Sequence, residues 1–166
     1  MKTRIEAMID QFQALHHGRP WIGVSFSRVF EGISEEDFFK HPISGMHSMA
    51  EILSHLSFWK ADALIKMEQG RGRSLDADPE NWLSSEDLRQ QGMRGIKNQF
   101  EKTQALFLEK LEGLDDGFFE RSYFDQDFGQ NYPNAFFLDG LLQHDCYHLG
   151  QLSLLKKRLQ SLGRDD

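Results

Sequence analysis

A single cysteine, Cys146, occurs among the 166 residues. An internal disulfide is therefore impossible, and the shortage of cysteine fits a reducing compartment. No apolar run approaches the ~18 residues that mark a membrane-spanning helix, so no membrane span is expected. The start, Met1-Lys-Thr-Arg-Ile-Glu-Ala, has no long apolar segment leading to a small-residue cleavage site. A signal peptide is not expected there, and the cytoplasm is the expected location. Positive charge is also short. Lys and Arg number 19 against 26 Asp and Glu, giving a net charge of −7. Nucleic-acid binding needs clustered cations against phosphate, so nucleic acid is not expected as a partner. The basic run Lys156-Lys157-Arg158 falls in the last turns of a helix, where cations complement the macrodipole. Period-two alternation of convincing length is missing, as are low-complexity tracts and internal repeats. Tyrosine is scarce too, with 3 Tyr beside 14 Phe, so much of the core is built from rings without a polar tip.

The hydrophobic share of 39% and the charged share of 27% are those of an ordinary folded protein. The length fits one domain, residues 1–166, burying roughly 70% of its unfolded surface. Ile5, Met8, Ile9, Phe12 and Leu15 make a helical stripe over 3–16. His16-His17-Gly18-Arg19-Pro20 breaks it, and the two histidines are expected to be a solvated helix end rather than ligands. Ile22, Phe26, Val29 and Ile33 then predict a second amphipathic helix, and Ser34-Glu-Glu-Asp37 a short turn of helix. Pro42 and Gly45 mark a loop that also carries His47.

Ser48-Met-Ala-Glu51 fits a capping box that starts a helix running to about Gln69, with Gly70-Arg-Gly72 ending it. Ile52, Leu56, Trp59 and Ala63 form its inner stripe, with His55 beside them. Residues 70–83 form a polar connection with Pro79 and Trp82. Trp82 is either part of a lid or a staple holding the connection to the bundle. Ser84 with Asp87 opens a helix to about Glu112 with Leu88, Ile96, Phe100, Phe107 and Leu111 as its stripe, and Gly92 and Gly95 weaken its early turns. Gly113 to Gly117 turns the chain, and 120–133 is expected to be a loop. A last helix covers about 134–162 and ends at Gly163. Four long helices and one or two short ones make an all-α helix bundle.

The last helix carries the stretch with most chemistry. With His144 at zero on a helical wheel, His148 falls at about +40°, Gln151 at about −20° and Leu155 at about +20°. Imidazoles spaced i, i+4 stand roughly 6 Å apart and suit two ligands of one metal ion. His55 is the third imidazole on a core-facing stripe. Three neutral nitrogens leave a coordination position open, as catalytic metal sites do. Gln151 is placed to orient a ligand or a bound water. Asp145, about 100° around from His144, either accepts a proton or makes an interhelical contact. Spacing alone leaves metal ligands and hydrogen-bonded core histidines both open. Two rivals are disfavoured. His144-Asp-Cys-Tyr-His148 departs from the His-Glu-x-x-His pattern by an Asp in place of Glu, and no third ligand follows. Cys146 lies at about 200°, away from the histidine face, so nucleophilic Cys/His catalysis is not expected.

Pro42-Ile-Ser-Gly-Met-His-Ser-Met-Ala-Glu-Ile-Leu-Ser-His55-Leu-Ser-Phe-Trp59, together with His144-Asp-Cys-Tyr-His148-Leu-Gly-Gln151, resembles the DinB-like (YfiT-like) family. Pro20-Trp21 and Glu35-Glu-Asp-Phe38 also suit it. The resemblance implies a left-handed four-helix bundle of up-down-down-up topology, commonly a homodimer. It also implies a divalent ion, zinc or nickel, on His55, His144 and His148. Relatives include thiol-dependent transferases and isomerases that use bacillithiol or mycothiol, so a low-molecular-weight thiol and a small electrophile become the expected cofactor and substrate. A metal-dependent hydrolase and a non-catalytic metal-binding stress-response module are the alternatives.

Overall fold

The computed structural model describes residues 2–162. The expected helix stop at Gly163 lies outside the described residues. Helix α1 (Arg4–His16) is held at its start by a capping box. Thr3 Oγ1 accepts from Glu6 N at 3.2 Å, and Thr3 N donates to Glu6 Oε2 at 2.8 Å. Asp116, from a 3-10 turn over Asp116–Glu120, accepts from the Arg4 and Ile5 amides at 3.0 and 2.9 Å and satisfies further orphan donors. The remaining helices are α2 (Phe26–Phe30), α3 (Glu35–Phe38), α4 (Met49–Gln69), α5 (Ser85–Glu112) and α6 (Asn134–Leu162).

Two clusters of buried residues divide the core along the bundle axis. One gathers Leu15, Leu53, Leu56, Leu88, Phe100 and Leu155. The other gathers Ile5, Phe12, Met67, Phe107, Leu111 and Leu138. Helices α1 and α6 thus begin in the second cluster and end in the first, whereas α4 and α5 run the other way. The topology is up-down-down-up, with α5 and α6 each packed against both α1 and α4. Because α4 and α5 are parallel, the chain between them must return along the whole bundle. Gly70, at φ 64°, ends α4 in the left-handed conformation and starts that return.

Three expectations are corrected. The helix expected over Ile22–Ile33 covers only Phe26–Phe30. Gly23 and Gly32 sit at φ 80° and 73° on either side of it, and a turn closes from Gly23 N to Pro20 O at 2.9 Å, leaving Trp21 fully exposed. Residues 120–133 are not a loop but contain an antiparallel hairpin of β1 (Ser122–Asp125) and β2 (Gln130–Pro133), with Tyr123 opposite Tyr132. Each strand has four residues and β2 is mostly exposed, so no period-two pattern could accumulate. The hairpin is anchored where Phe124 N donates to Gly70 O at 2.8 Å. The third concerns His16, which is buried rather than solvated.

Gly92 does more than weaken α5. At φ 69° and ψ 159° it breaks the helix into two segments. The freed amide of Met93 donates to Glu35 Oε1 on α3 at 3.3 Å. That backbone region is almost closed to residues with a Cβ. Gly92→Ala is expected to lower stability by about 1–3 kcal/mol. Gly95→Ala, at an ordinary helical position, is expected to leave it unchanged or raise it. Urea unfolding of the two variants checks the contrast.

Candidate metal centre

The Ser48 capping box fixes where α4 begins and so which residue of its second turn faces inward. Ser48 Oγ accepts from Glu51 N at 3.2 Å, and Ser48 N donates to Glu51 Oε2 at 2.8 Å. Burial works against the Glu51 carboxylate, but bonds from Ser48 N, the Ser85 hydroxyl and His41 outweigh it and hold its pKa below the usual range. Two turns on, His55 enters the core, 5% exposed. On the neighbouring α6, His144 and His148 stand one turn apart with ring centroids 4.5 Å from each other. His55 Nε2 lies 2.9 Å from His144 Nε2, and one ring nitrogen of each histidine lies within 4.8 Å of the others.

Hydrogen bonding fixes which nitrogens point inward. The Asn81 amide donates from Nδ2 to Asp76 O at 3.0 Å, so its Oδ1 faces His55 Nδ1 at 2.7 Å. The Asn81 carbonyl is 3.2 Å from the same nitrogen. Both neighbours are acceptors, so Nδ1 of His55 carries the proton and Nε2 presents a lone pair. His148 Nδ1 donates to Gln151 Oε1 at 2.7 Å, which leaves its Nε2 free as well. His144 Nδ1 is buried with no partner. Burial drives the pKa of His144 down to about 3, with the neighbouring histidines and Lys60 adding to the effect, and that of His148 down to about 4. Burial lowers the pKa of His55 too, against the bonds it donates to the Asn81 oxygens. The three imidazoles are therefore neutral at pH 7. Three neutral imidazoles, two of them with their second nitrogen committed to an amide oxygen, are what a divalent ion of borderline softness needs. The donor set fits.

The other expected residues separate clearly. Gln151 touches the site through His148. Asp145 is fully buried and turned to Lys60 of α4, whose Nζ stands 2.6 Å from Oδ2 and 2.7 Å from Gln104 Oε1. Asp145 is thus an interhelical contact rather than a group at the site. Cys146 packs beside Leu142 at a separate depression bordered by α1. Burial, with Asp145, pushes its thiol pKa up, away from nucleophilic character. His47 Nδ1 faces Glu51 Oε2 at 3.3 Å and its ring lies on Trp82.

Trp82 resolves as a staple. The 3-10 turn Pro79–Trp82 delivers its indole between His47 and His55, at ring distances of 3.7 and 3.9 Å and nearly parallel to both. Asn81, on the same turn, has no signal in the sequence, since nothing in a polar connection marks one amide among several. A cavity of about 610 Å³ opens beside His55 and His144, walled by Trp59, Lys66, Tyr123 and Asp125. Lys66 Nζ lies 3.3 Å from Asp62 and 3.6 Å from Asp125. Burial raises the pKa of the Tyr123 phenol, which stays protonated and donates to Asp125 Oδ2 at 3.1 Å.

Among solved structures, YfiT from Bacillus subtilis, described as a probable metal-dependent hydrolase with an unusual four-helix bundle topology, is similar to this chain. The TM-score is 0.64 at 12% identity, over 94% of this chain and 85% of that one. At that identity the likeness is one of fold. Comparison with curated proteins gives no match. The family model of the DinB superfamily matches residues 24–152, a span that holds His55, His144, His148 and Gln151. With the greater part of its length matched, the chain belongs to the DinB superfamily.

Proposed function

We propose that the protein is a metal-dependent enzyme acting on small molecules, with His55, His144 and His148 holding a divalent ion, zinc or nickel, beside the 610 Å³ cavity. One observation carries this reading: neutral imidazoles of two helices converge, with two of them locked by Asn81 and Gln151 in the tautomer that aims Nε2 inward. A divalent ion there supplies Lewis acidity and lowers the pKa of a group it binds. The chain's own residues do the rest. Asn81 and Gln151 orient the ligands. Trp82 covers His55 and keeps water from that flank, while Lys66 and Asp125 offer charged partners for substrate in the cavity.

The pairing of Asp145 supports an open, catalytic site over a closed structural one. A closed structural sphere would need a fourth protein ligand, and Asp145, next to His144 in the chain, is engaged by Lys60 instead. The cavity falls in the range of small-molecule sites, with room for a low-molecular-weight thiol and a small electrophile. Thiol transfer is the reaction that membership of the superfamily favours on the kinship of thiol-dependent relatives. Hydrolysis is the second reading, supported by the description of YfiT. Elemental analysis of tag-free protein, followed by a screen of electrophiles with and without an added thiol, separates them. The expected result is one bound transition metal per three-histidine site and consumption of thiol and electrophile in equal amounts. Ester or amide turnover without thiol selects hydrolysis, and failure to hold any metal after reconstitution overturns both.

A further inference from the structure

The second group of ligand-type side chains lies where α1 ends. His16 is 1% exposed, stacked on Phe100 at 4.6 Å with 16° between the rings, and near Phe26 at 5.2 Å. Neither of its ring nitrogens has a hydrogen-bond partner. A buried polar atom without a partner is costly and uncommon in a native core. Next to it, His17 Nε2 and Glu101 Oε2 of α5 approach to 3.1 Å, and both side chains are about half exposed. One ligand atom from each of His16, His17 and Glu101 lies within 4.8 Å of the others.

We propose that His16, His17 and Glu101 form a second divalent-cation site, taking a first-row transition ion such as zinc. Two imidazoles and one carboxylate are a donor set with proven taste for such ions, and leave positions for water. The 3.1 Å between His17 and Glu101 is already close to the spacing of two ligands on one ion, about 3.3 Å for bonds near 2.0–2.1 Å in a tetrahedron. His16 is the fixed member, clamped by Phe100 and Phe26. His17 and Glu101, at the surface, are free to turn onto it. Coordination gives a nitrogen of His16 the partner that the packed rings deny it, and ties the end of α1 to α5. The site is independent of the three-histidine centre, which takes nothing from α1 or α5. Contacts from His144 pass through Asp145, Lys60 and Phe100 before reaching His16.

The test uses tag-free, metal-stripped full chain titrated with zinc against a chromophoric chelator. The wild type is expected to bind two ions per chain, and His17→Ala and Glu101→Gln one each. In a His148→Ala background, zinc raises the melting temperature, and adding His17→Ala abolishes that rise. Both substituted positions are half exposed, so the variants keep the fold, which circular dichroism verifies. If the wild type binds one ion that is lost with His17→Ala and kept with His148→Ala, this inference stands and the three-histidine reading falls. If His17→Ala binds as many ions as the wild type, the unpartnered His16 is explained by something other than a metal and the inference is overturned.

Discussion

Lys60→Met is expected to destabilise the protein by about 3–5 kcal/mol, the usual cost of removing one partner from a buried ion pair. Lys60 and Asp145 are both fully buried, with Nζ 2.6 Å from Oδ2. The Lys60 ammonium also faces the rings of Phe12, Phe100 and Phe107 at 5.3–5.8 Å, so no water is at hand to take over. Methionine keeps the length of the side chain and its packing among those rings. What it removes is the cation, leaving the Asp145 carboxylate uncompensated in the core. Lys60→Met combined with Asp145→Leu removes both charges and is expected to regain most or all of the loss, since apolar replacement of a buried pair is often neutral or stabilising. Urea unfolding of the wild type, both single variants and the double variant gives the coupling between the two residues. Single and double variants that fall equally would show that packing, not charge, holds this layer together.

His144→Ala is expected to weaken metal binding by well over 100-fold, while Gln151→Ala and Asn81→Ala each weaken it by about 10–100-fold, the range for groups that orient a ligand. The grading follows from position: His144 presents its nitrogen to the centre, whereas the two amides act through His148 and His55. Stability without metal should respond far less than binding does. His144 Nδ1 is buried with no partner, so the imidazole contributes little to the metal-free fold, and alanine there should leave its melting temperature nearly unchanged. With zinc added, the wild type gains stability by mass action and His144→Ala gains much less. Competition titration and paired melting curves measure both. Equal zinc affinity in His144→Ala and the wild type would remove His144 from the ligand set.

Much of this arrangement can be read from residues alone, for reasons that differ by element. Helices α1, α4, α5 and α6 announce themselves because each spans at least three turns, long enough for a stripe such as Ile5, Met8, Phe12, Leu15 to stand out, and because Ser48 and Ser84 mark the starts of α4 and α5. His144 and His148 are legible as a pair because one helix spaces them. His55 joins them only through its place on an inner stripe. The hairpin escapes because four-residue strands give periodicity nothing to accumulate. The short α2 is overcalled because apolar spacing continues past Gly23, where the backbone turns away. His16 is missed for a related reason. A histidine beside a glycine at a helix end carries no sign that Phe26 and Phe100, ten and eighty-four residues on, will close over it.

The parallel course of α4 and α5 also bears on how the metal centre is put together. Neighbouring antiparallel helices can be joined by a few residues, but here the chain must travel back the length of a 21-residue helix, roughly 30 Å, before α5 can start. The far end of that return is where Asn81 and Trp82 meet His55. The three histidines are brought together by α4 and α6, and Gln151 of α6 sets the tautomer of His148, yet that of His55 is set by Asn81 of the crossover. The crossover is thus part of the centre, not a spacer. The return is also tied down ahead of Pro79, where Asp62 accepts from the Arg73 and Ser74 amides at 2.7 and 3.0 Å and Asp76 O holds the Asn81 amide at 3.0 Å, so insertions anywhere within 73–82 should disturb the support of His55.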